Sequence, residues 1–395
     1  MIVVDILLFL AVALLALPVA VVFVEVLAAV CLPDQPVSAA SGPRAPLAVL
    51  VPAHDEAVVI RATLERITPQ LQPGDRLVVV ADNCSDDTAA IARACGAEAL
   101  ERVNATLRGK GYALDHGVRH LEASPPAAVV IVDADCDVAP GTIEKLFRQC
   151  QHSGRPAQAL YAMEVAPGGG AVSPISAFAW RLRVIVCPIG MHKLGGPCNL
   201  MGSGMAIPWP LVRDIDLASG HIAEDMKMGV DLARRGAPPM LCPQALVTST
   251  FPVSRAGAAS QRTRWEHGHI GMIVDEVPAL LRDAARGIGA GLLPIALEIC
   301  VPPKALLVLL LLASVLVTAL SAAIGASAWP FAVAATEFGL FTLAVVLAWA
   351  RFARDILPLS EVPRIGLYVL AKIPLYLGFL VRRQVEWVRS KRDAD

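Results

Sequence analysis

Two kinds of apolar pattern divide the chain. Residues 2–30, IVVDILLFLAVALLALPVAVVFVEVLAAV, are almost unbroken in hydrophobicity and exceed the ~20 residues that cross a bilayer. Two further runs within 303–350, PKALLVLLLLASVLVTALSAAIGA and WPFAVAATEFGLFTLAVVLAWA, share that character. The link between them is so short that they predict a helical hairpin. Between these blocks, residues 45–270 change rhythm. LAVLVPAHDE (47–56), RLVVVADN (76–83), EALERV (98–103), the run ending in VDADC (132–136) and AQALYAMEV (157–165) read as strands. AVVIRATLERITPQL, DDTAAIARACG, GYALDHGVRHLE and GTIEKLFRQC fall between them at helical period. Short apolar strands alternating with helices predict an α/β domain, its mostly parallel sheet covered on both faces. Such sheets bind ligands beyond the carboxyl ends of their strands.

Composition strengthens the membrane component. The 395 residues are 55% hydrophobic and only 17% charged, with mean hydropathy +0.58. A net charge of −1 gives no reason to expect nucleic acid as a partner. Nine scattered cysteines without a CxxC pair argue against a disulfide framework or zinc site and fit a reducing compartment. Residues 1–31 read as an uncleaved transmembrane anchor: a cleaved signal peptide would want a basic n-region and small residues before the cut. Arg44, Arg61, Arg351 and Arg354 place the 45–270 domain on the cytoplasmic side. Segment 271–302 mixes charges with apolar residues and suits interfacial helices. The last segment, 363–395, carries Lys372 and Pro374 in its apolar stretch and a basic tail with Trp387, Arg389, Lys391 and Arg392. It reads as an interfacial helix in preference to a fourth span.

Chemistry gathers at the predicted strand ends: His54, Asp55 and Glu56, then Asp82 and Asn83, then Asp133 and Asp135. Along an extended segment Asp133 and Asp135 would point the same way. Two close carboxylates repel unless a cation sits between them, and a hard divalent ion shared with phosphate oxygens resolves that conflict. RGKGYALDHG (108–117) puts Arg108 and Lys110 in a glycine-rich turn opening a helix, a setting that favours phosphate. Asp82 is placed to accept a hydrogen bond from a base N–H. Together these parts describe a site for a nucleotide diphosphate and a metal. His116 and His120 read as a surface helix face, His267 and His269 as a polar edge, Gly168–Gly170 as a flexible loop and Asp137 as a cap of the following helix.

At this point the chain resembles the membrane-anchored family 2 glycosyltransferases of the exopolysaccharide, cellulose and hyaluronan synthase type. The motifs, in order, are VPAHDE (51–56), VVADNCSDDT (79–88), RGKGYAL (108–114), VDADC (132–136), GSGMAI (202–207), AEDMKMG (223–229) and QRTRW (261–265). The resemblance implies a GT-A, Rossmann-like nucleotide-sugar domain with transmembrane and interfacial helices. It implies that Pro52, His54, Glu56 and Asp82 border the nucleoside and that Lys110 lies near the nucleotide-sugar. Asp133 and Asp135 would form the DxD pair, with Asp135 on Mg²⁺ or Mn²⁺. Asp225, paired with Glu224, would be the catalytic base. Gln261 and Arg264 of QxxRW would approach the diphosphate, while Trp265, Gly202, Ser203 and Gly204 would face the acceptor. Two departures stand out: Ala81 precedes Asp82 where many relatives carry a second aspartate, and Ala223 precedes Glu224 where threonine is common.

The implied activity is an inverting, metal-dependent hexosyl transfer at the bacterial inner membrane. The donor would be a nucleotide sugar, with UDP favoured. The acceptor would be a lipid-linked saccharide, presented by membrane lipid and served by polysaccharide-assembly proteins. A processive β-glycan synthase and a silent scaffold of polysaccharide export are the alternatives. Few spans argue against the first, and the retained Asp133, Asp135, Asp225 and Arg264 argue against the second.

Overall fold

A computed structural model describes residues 2–35, 42–165, 172–289 and 291–383. The glycine run 168–170 and the tail with Trp387, Arg389, Lys391 and Arg392 lie outside the described residues. The chain opens with α1 (Ile2–Cys31), then β1 (Ala48–Ala53), α2 (Ile60–Ile67), β2 (Arg76–Asp82), α3 (Thr88–Ala94), β3 (Glu98–Arg102), α4 (Lys110–Leu121) and β4 (Ala128–Ile131). Next come β5 (Asp137–Val138), α5 (Thr142–Ser153), β6 (Ala157–Glu164), α6 (Pro174–Arg181), a π-helical turn (Leu182–Val186) and α7 (Cys187–Lys193). They lead to β7 (Met205–Pro208), α8 (Trp209–Val212), α9 (Glu224–Arg234), β8 (Met240–Thr250) and α10 (Arg255–Asp275). The C-terminal third is helical: α11 (Val277–Ala285), α12 (Leu292–Ile299), α13 (Lys304–Ala323), α14 (Trp329–Phe352), α15 (Ile365–Leu370) and α16 (Ile373–Val381).

One eight-stranded sheet, in the order β3-β2-β1-β4-β7-β6-β8-β5, carries the middle of the chain. Strands β3, β2, β1 and β4 are mutually parallel, β7 runs against both its neighbours, and β6 and β8 are again parallel. Alternation along each strand feeds two cores. Val49, Val51, Val79 and Val130 face α2 and α5, while Leu50, Val80, Val129 and Ile131 face α4 and the α8–α9 segment. Burial on both faces is why these strands read as continuous apolar runs. Gly117 of α4 lies so close to the sheet that a Cβ there would come within 2.4 Å of Leu50 Cδ1.

The flanking helices form a third core. Val19, Val22 and Val26 of α1 pack with Phe178, Leu182 and Val186 of the α6–α7 region, and with Leu311 of α13 and Phe341 and Ala344 of α14. Helices α13 and α14 pack against each other. Among the described residues, five segments are long and apolar enough to cross a membrane: Asp5–Cys31, Pro174–Lys193, Lys304–Ala323, Trp329–Phe352 and Leu359–Val381. Of these, Pro174–Lys193 is the most buried within the protein, over half of its most apolar window being inside. The last breaks between α15 and α16 at Ala371–Lys372, where the pattern carried its lysine. QRTRW lies in the middle of α10, so the expected domain boundary at 270 falls inside a helix.

Two local expectations fail. The DxD segment is not extended: β4 ends at Ile131 and residues 132–136 turn back, closed by a 3.2 Å bond from Cys136 N–H to the Asp133 carbonyl. Asp137 does not cap α5, which begins after Gly141; it lies in β5, 3.1 Å from Arg66.

Candidate active site

Three strand ends and two helix starts converge. At the ends of β1 and β2 the chain turns sharply, with Asp55 at φ +52° and Asn83 at φ +53°, a region that Asp and Asn visit at low cost. The turns are latched by side chains: Asp55 accepts from Ser85 N–H at 2.6 Å, and Asp86 accepts from Ala57 N–H at 3.0 Å. His54 Nδ1 lies 2.6 Å from the Asp82 carbonyl oxygen. Asp82 is only 5% exposed and receives Arg102 Nη1 at 2.5 Å. The Arg102 guanidinium also sits 5.5 Å from the Tyr112 ring centre. Arg102 belongs to no motif, yet it holds the carboxylate that the resemblance assigns to the base.

Lys110, the first residue of α4, follows Gly109 at φ +128°, a conformation open to glycine. Its ammonium pairs with Asp133 and donates to the Gly202 carbonyl at 2.8 Å. Burial alone would depress the Lys110 ammonium, but Asp133, Glu224 and Asp225 outweigh it and hold it up to about 12. Burial pushes the Asp133 carboxyl up and Asp135 adds to that, with Lys110 opposing both. The turn is fixed from the antiparallel side of the sheet. Asp133 N–H donates to Ser203 Oγ at 3.0 Å, Ser203 Oγ lies 3.2 Å from Cys136 Sγ, and Gln158 Nε2 donates to the Ser203 carbonyl at 2.8 Å. Gly202 stands at φ +90°, where a Cβ would lie 3.4 Å from Asp225 Oδ2 and 3.5 Å from Lys110 Nζ.

Glu224 and Asp225 open α9 across from that turn. Asp225 Oδ1 accepts from Met226 N–H at 2.8 Å. Burial raises both carboxyls; Asp225 adds to the rise of Glu224, and Lys110 opposes it in each. Carboxyls raised by burial in a cleft have the character of general bases.

Lys110, Asp133, Asp135, Gly202, Glu224, Asp225, Gln261, Arg264 and Trp265 line one cavity of about 210 Å³. Pro52, His54, Glu56 and Asp82 gather nearby at the ends of β1 and β2 but do not line it. Ser203 and Gly204, expected at the acceptor, lie behind the cavity. Ser203 is fully buried, and a Cβ on Gly204 would meet Val247 and Ala159 within 3 Å. Their part is to hold the Asp133 turn. Trp265 stacks on Trp180 with ring centres 4.2 Å apart, and Phe251 meets Trp180 edge-on at 6.5 Å. His267 and His269 are not a polar edge: both are buried, and their Nε2 atoms reach the carbonyls of Leu375 and Ile299, each at 3.1 Å. His120 pairs with Glu98 on the surface of α4, 3.0 Å away.

The donor set at the turn suits a hard cation. Asp133, Asp135 and Cys136 offer ligand atoms within 4.8 Å of one another. Burial pushes the Cys136 thiol well up, so it stays protonated and leaves the carboxylate oxygens as donors. Mg²⁺ and Mn²⁺ take carboxylate oxygen together with phosphate oxygen. A second cluster, Asp55, Cys84 and Asp86, has the same spacing, but its carboxylates accept the loop N–H groups already named.

A family model described as "Glycosyltransferase like family 2" matches residues 43–268, more than half of the chain. The chain belongs to that family. Its sheet, helices and strand-end site are those of a GT-A-like α/β fold. Among solved structures, the mannosyltransferase PcManGT from Pyrobaculum calidifontis, in complex with GDP-Man and Mn²⁺, is 18% identical. It covers 95% of this chain and 99% of its own, with a TM-score of 0.57. Glucosyl-3-phosphoglycerate synthase from Mycobacterium tuberculosis, in complex with Mn²⁺, UDP and phosphoglyceric acid, is 23% identical over 50% of this chain and 68% of its own. Its TM-score is 0.33. No curated protein sequence matches the glycosyltransferase chain.

Proposed function

We propose that this glycosyltransferase moves a hexose, with inversion, from a nucleotide-diphosphate sugar to a hydroxyl of a membrane-presented saccharide. The acceptor is a polyprenyl-diphosphate-linked glycan, and the setting is exopolysaccharide assembly at the bacterial inner membrane. One observation carries the reading: Lys110, Asp133 and Asp135 share a single cavity with Asp225, Arg264 and Trp265. The five apolar segments support the membrane setting, and the motif order supports a UDP-sugar. The GDP-Man and Mn²⁺ of the Pyrobaculum calidifontis mannosyltransferase complex support a metal and keep GDP-sugars in any donor panel.

Each side chain then has a task. Asp135, with Asp133 beside it, would hold Mg²⁺ or Mn²⁺, which neutralises the leaving diphosphate when bound. Lys110 and Arg264 add fixed positive charge at the same leaving group, where preorganised charge acts most strongly. Asp225 accepts the proton of the attacking hydroxyl, and Glu224 lies beside it, drawn toward Lys110 and Arg264. The acceptor oxygen bonds to the anomeric carbon from the face opposite the leaving oxygen. That carbon–oxygen bond breaks with its electron pair on the diphosphate, so one displacement inverts the centre.

The test is nucleotide diphosphate release by the purified chain. A panel of UDP- and GDP-sugars is offered with and without Mn²⁺, with a bacterial lipid extract and alongside Asp225→Asn. Metal-dependent release from one donor, raised by lipid and lost in Asp225→Asn while donor binding persists, is the expected outcome. Absence of release and of metal-dependent nucleotide binding with every donor would overturn the reading in favour of a scaffold.

A further inference from the structure

The cavity extends beyond Asp225 into a wall that no motif foreshadows. Glu25 of α1, Arg183 of the π turn, Asn199 before β7, Glu298 of α12 and Lys304 of α13 line it, with Trp180. Glu25 is 2% exposed, within a helix whose other residues are apolar apart from Asp5. An ionisable side chain kept inside an apolar span is costly and points to function. Glu298 and Asn199 bond to each other, yet among the described residues Glu25 Oε1, Asn199 Oδ1 and Glu298 Oε2 have no hydrogen-bond partner, and neither does Trp180 Nε1. Arg183 and Lys304 stand among them and form no ion pair among the described residues. The backbone at Glu25 is held tightly: a Cβ on Gly190 of α7 would lie 1.8 Å from the Glu25 carbonyl oxygen.

We propose that this wall is the subsite for the sugar ring that receives the transferred residue, gripped through its hydroxyls by Glu25, Asn199 and Glu298. The inference rests on the transferase reading above. Burial pushes the Glu298 carboxyl up to about 8, so near neutral pH it can donate as well as accept. A sugar hydroxyl does both, and so can meet these oxygens and the Trp180 N–H alike. Trp180, stacked on Trp265, supplies the flat apolar surface that the C–H face of a pyranose packs against. The wall adjoins Asp225, which places a ring bound there beside the base.

Octyl glucoside, octyl galactoside and octyl mannoside are the acceptor probes, offered to the full chain in lipid nanodiscs. The donor is the one that shows Mn²⁺-dependent turnover, and its binding is followed by isothermal titration. The expected result is saturable transfer to one octyl glycoside. Glu25→Ala and Glu298→Gln should each raise the acceptor KM by ~10-fold, the size of one lost hydrogen bond. Donor Kd should stay within about twofold in both, as neither residue lies at the donor in this assignment. Glu25→Gln, which keeps the shape of the side chain, should recover part of the loss. Donor turnover without stimulation by any octyl glycoside would overturn the subsite and spare the transferase. Acceptor KM unchanged in the folded Glu298→Gln protein would do the same. Absence of all donor turnover would remove both readings together.

Discussion

Lys110→Met removes one charge and keeps most of the volume, and its consequences can be worked through. The ammonium pairs with Asp133 and bonds the Gly202 carbonyl, and the two side chains are 16% and 27% exposed. Removing one partner of a buried ion pair costs ~3–5 kcal/mol because the other charge is left uncompensated. Partial exposure of both groups puts this pair at the lower end, about 3 kcal/mol. For a domain of this size that corresponds to a fall in Tm of roughly 6–12 °C. Part of the cost returns if Asp133 takes up a proton, since burial and Asp135 already push its carboxyl up. Lys110→Met combined with Asp133→Asn should therefore regain most of the lost Tm. It should not regain activity, because a fixed cation at the leaving diphosphate is worth ~10²–10³ in rate. The assay is thermal unfolding by tryptophan fluorescence in parallel with nucleotide diphosphate release. A single mutant as stable as wild type, or a double mutant less stable than the single, would refute the electrostatic account of this ion pair.

Other outcomes follow from the same geometry. Asp135→Ala should abolish the Mn²⁺ dependence of donor binding, measured by titration with and without EDTA; unchanged dependence would move the metal elsewhere. Gly202→Ala forces a side chain into φ +90° and within 3.4 Å of Asp225 Oδ2, so donor turnover should fall at least tenfold, on the order of the rate cost of a misplaced catalytic group. Burial holds the Asp225 and Glu224 carboxyls above the ordinary carboxylate range, and this pair acts in opposite directions on rate and stability. In its proposed role as base Asp225 works only when ionised, so the acid limb of kcat should lie above pH ~4. Ionising the buried pair costs stability, so its contribution to Tm is greatest below the ordinary carboxylate range and is lost as pH rises through the raised values. A pH scan of Tm in which Glu224→Gln leaves the slope unaltered would contradict that sign.

The parallel half of the sheet was legible because β1, β2 and β4 are buried on both faces and show as runs such as LAVLV and LVVV. The antiparallel insertion was not. Met205–Pro208 is a four-residue strand whose role depends on pairing with β4 and β6, far away in sequence, so GSGMAI read only as a motif. The same pairing explains why Ser203 was assigned to an acceptor: nothing local reveals that its hydroxyl faces the Asp133 N–H. Period-two reasoning misplaced Asp133 and Asp135 because the strand stops at Ile131, before the acidic residues begin. Glu25, Arg183, Glu298 and Lys304 escaped notice because four separate segments bring them together. The one signal the sequence offers for them is the lone glutamate deep in an apolar span.

The contact between Gly190 and the Glu25 carbonyl changes what the first helix is for. A tether could be shortened, lengthened or exchanged for another greasy segment without consequence. A helix seated against α7 with no room for a methyl group is a fixed wall of the reaction chamber. Cutting the chain before the sheet would take away one side of the cavity and leave the remaining chemistry facing solvent.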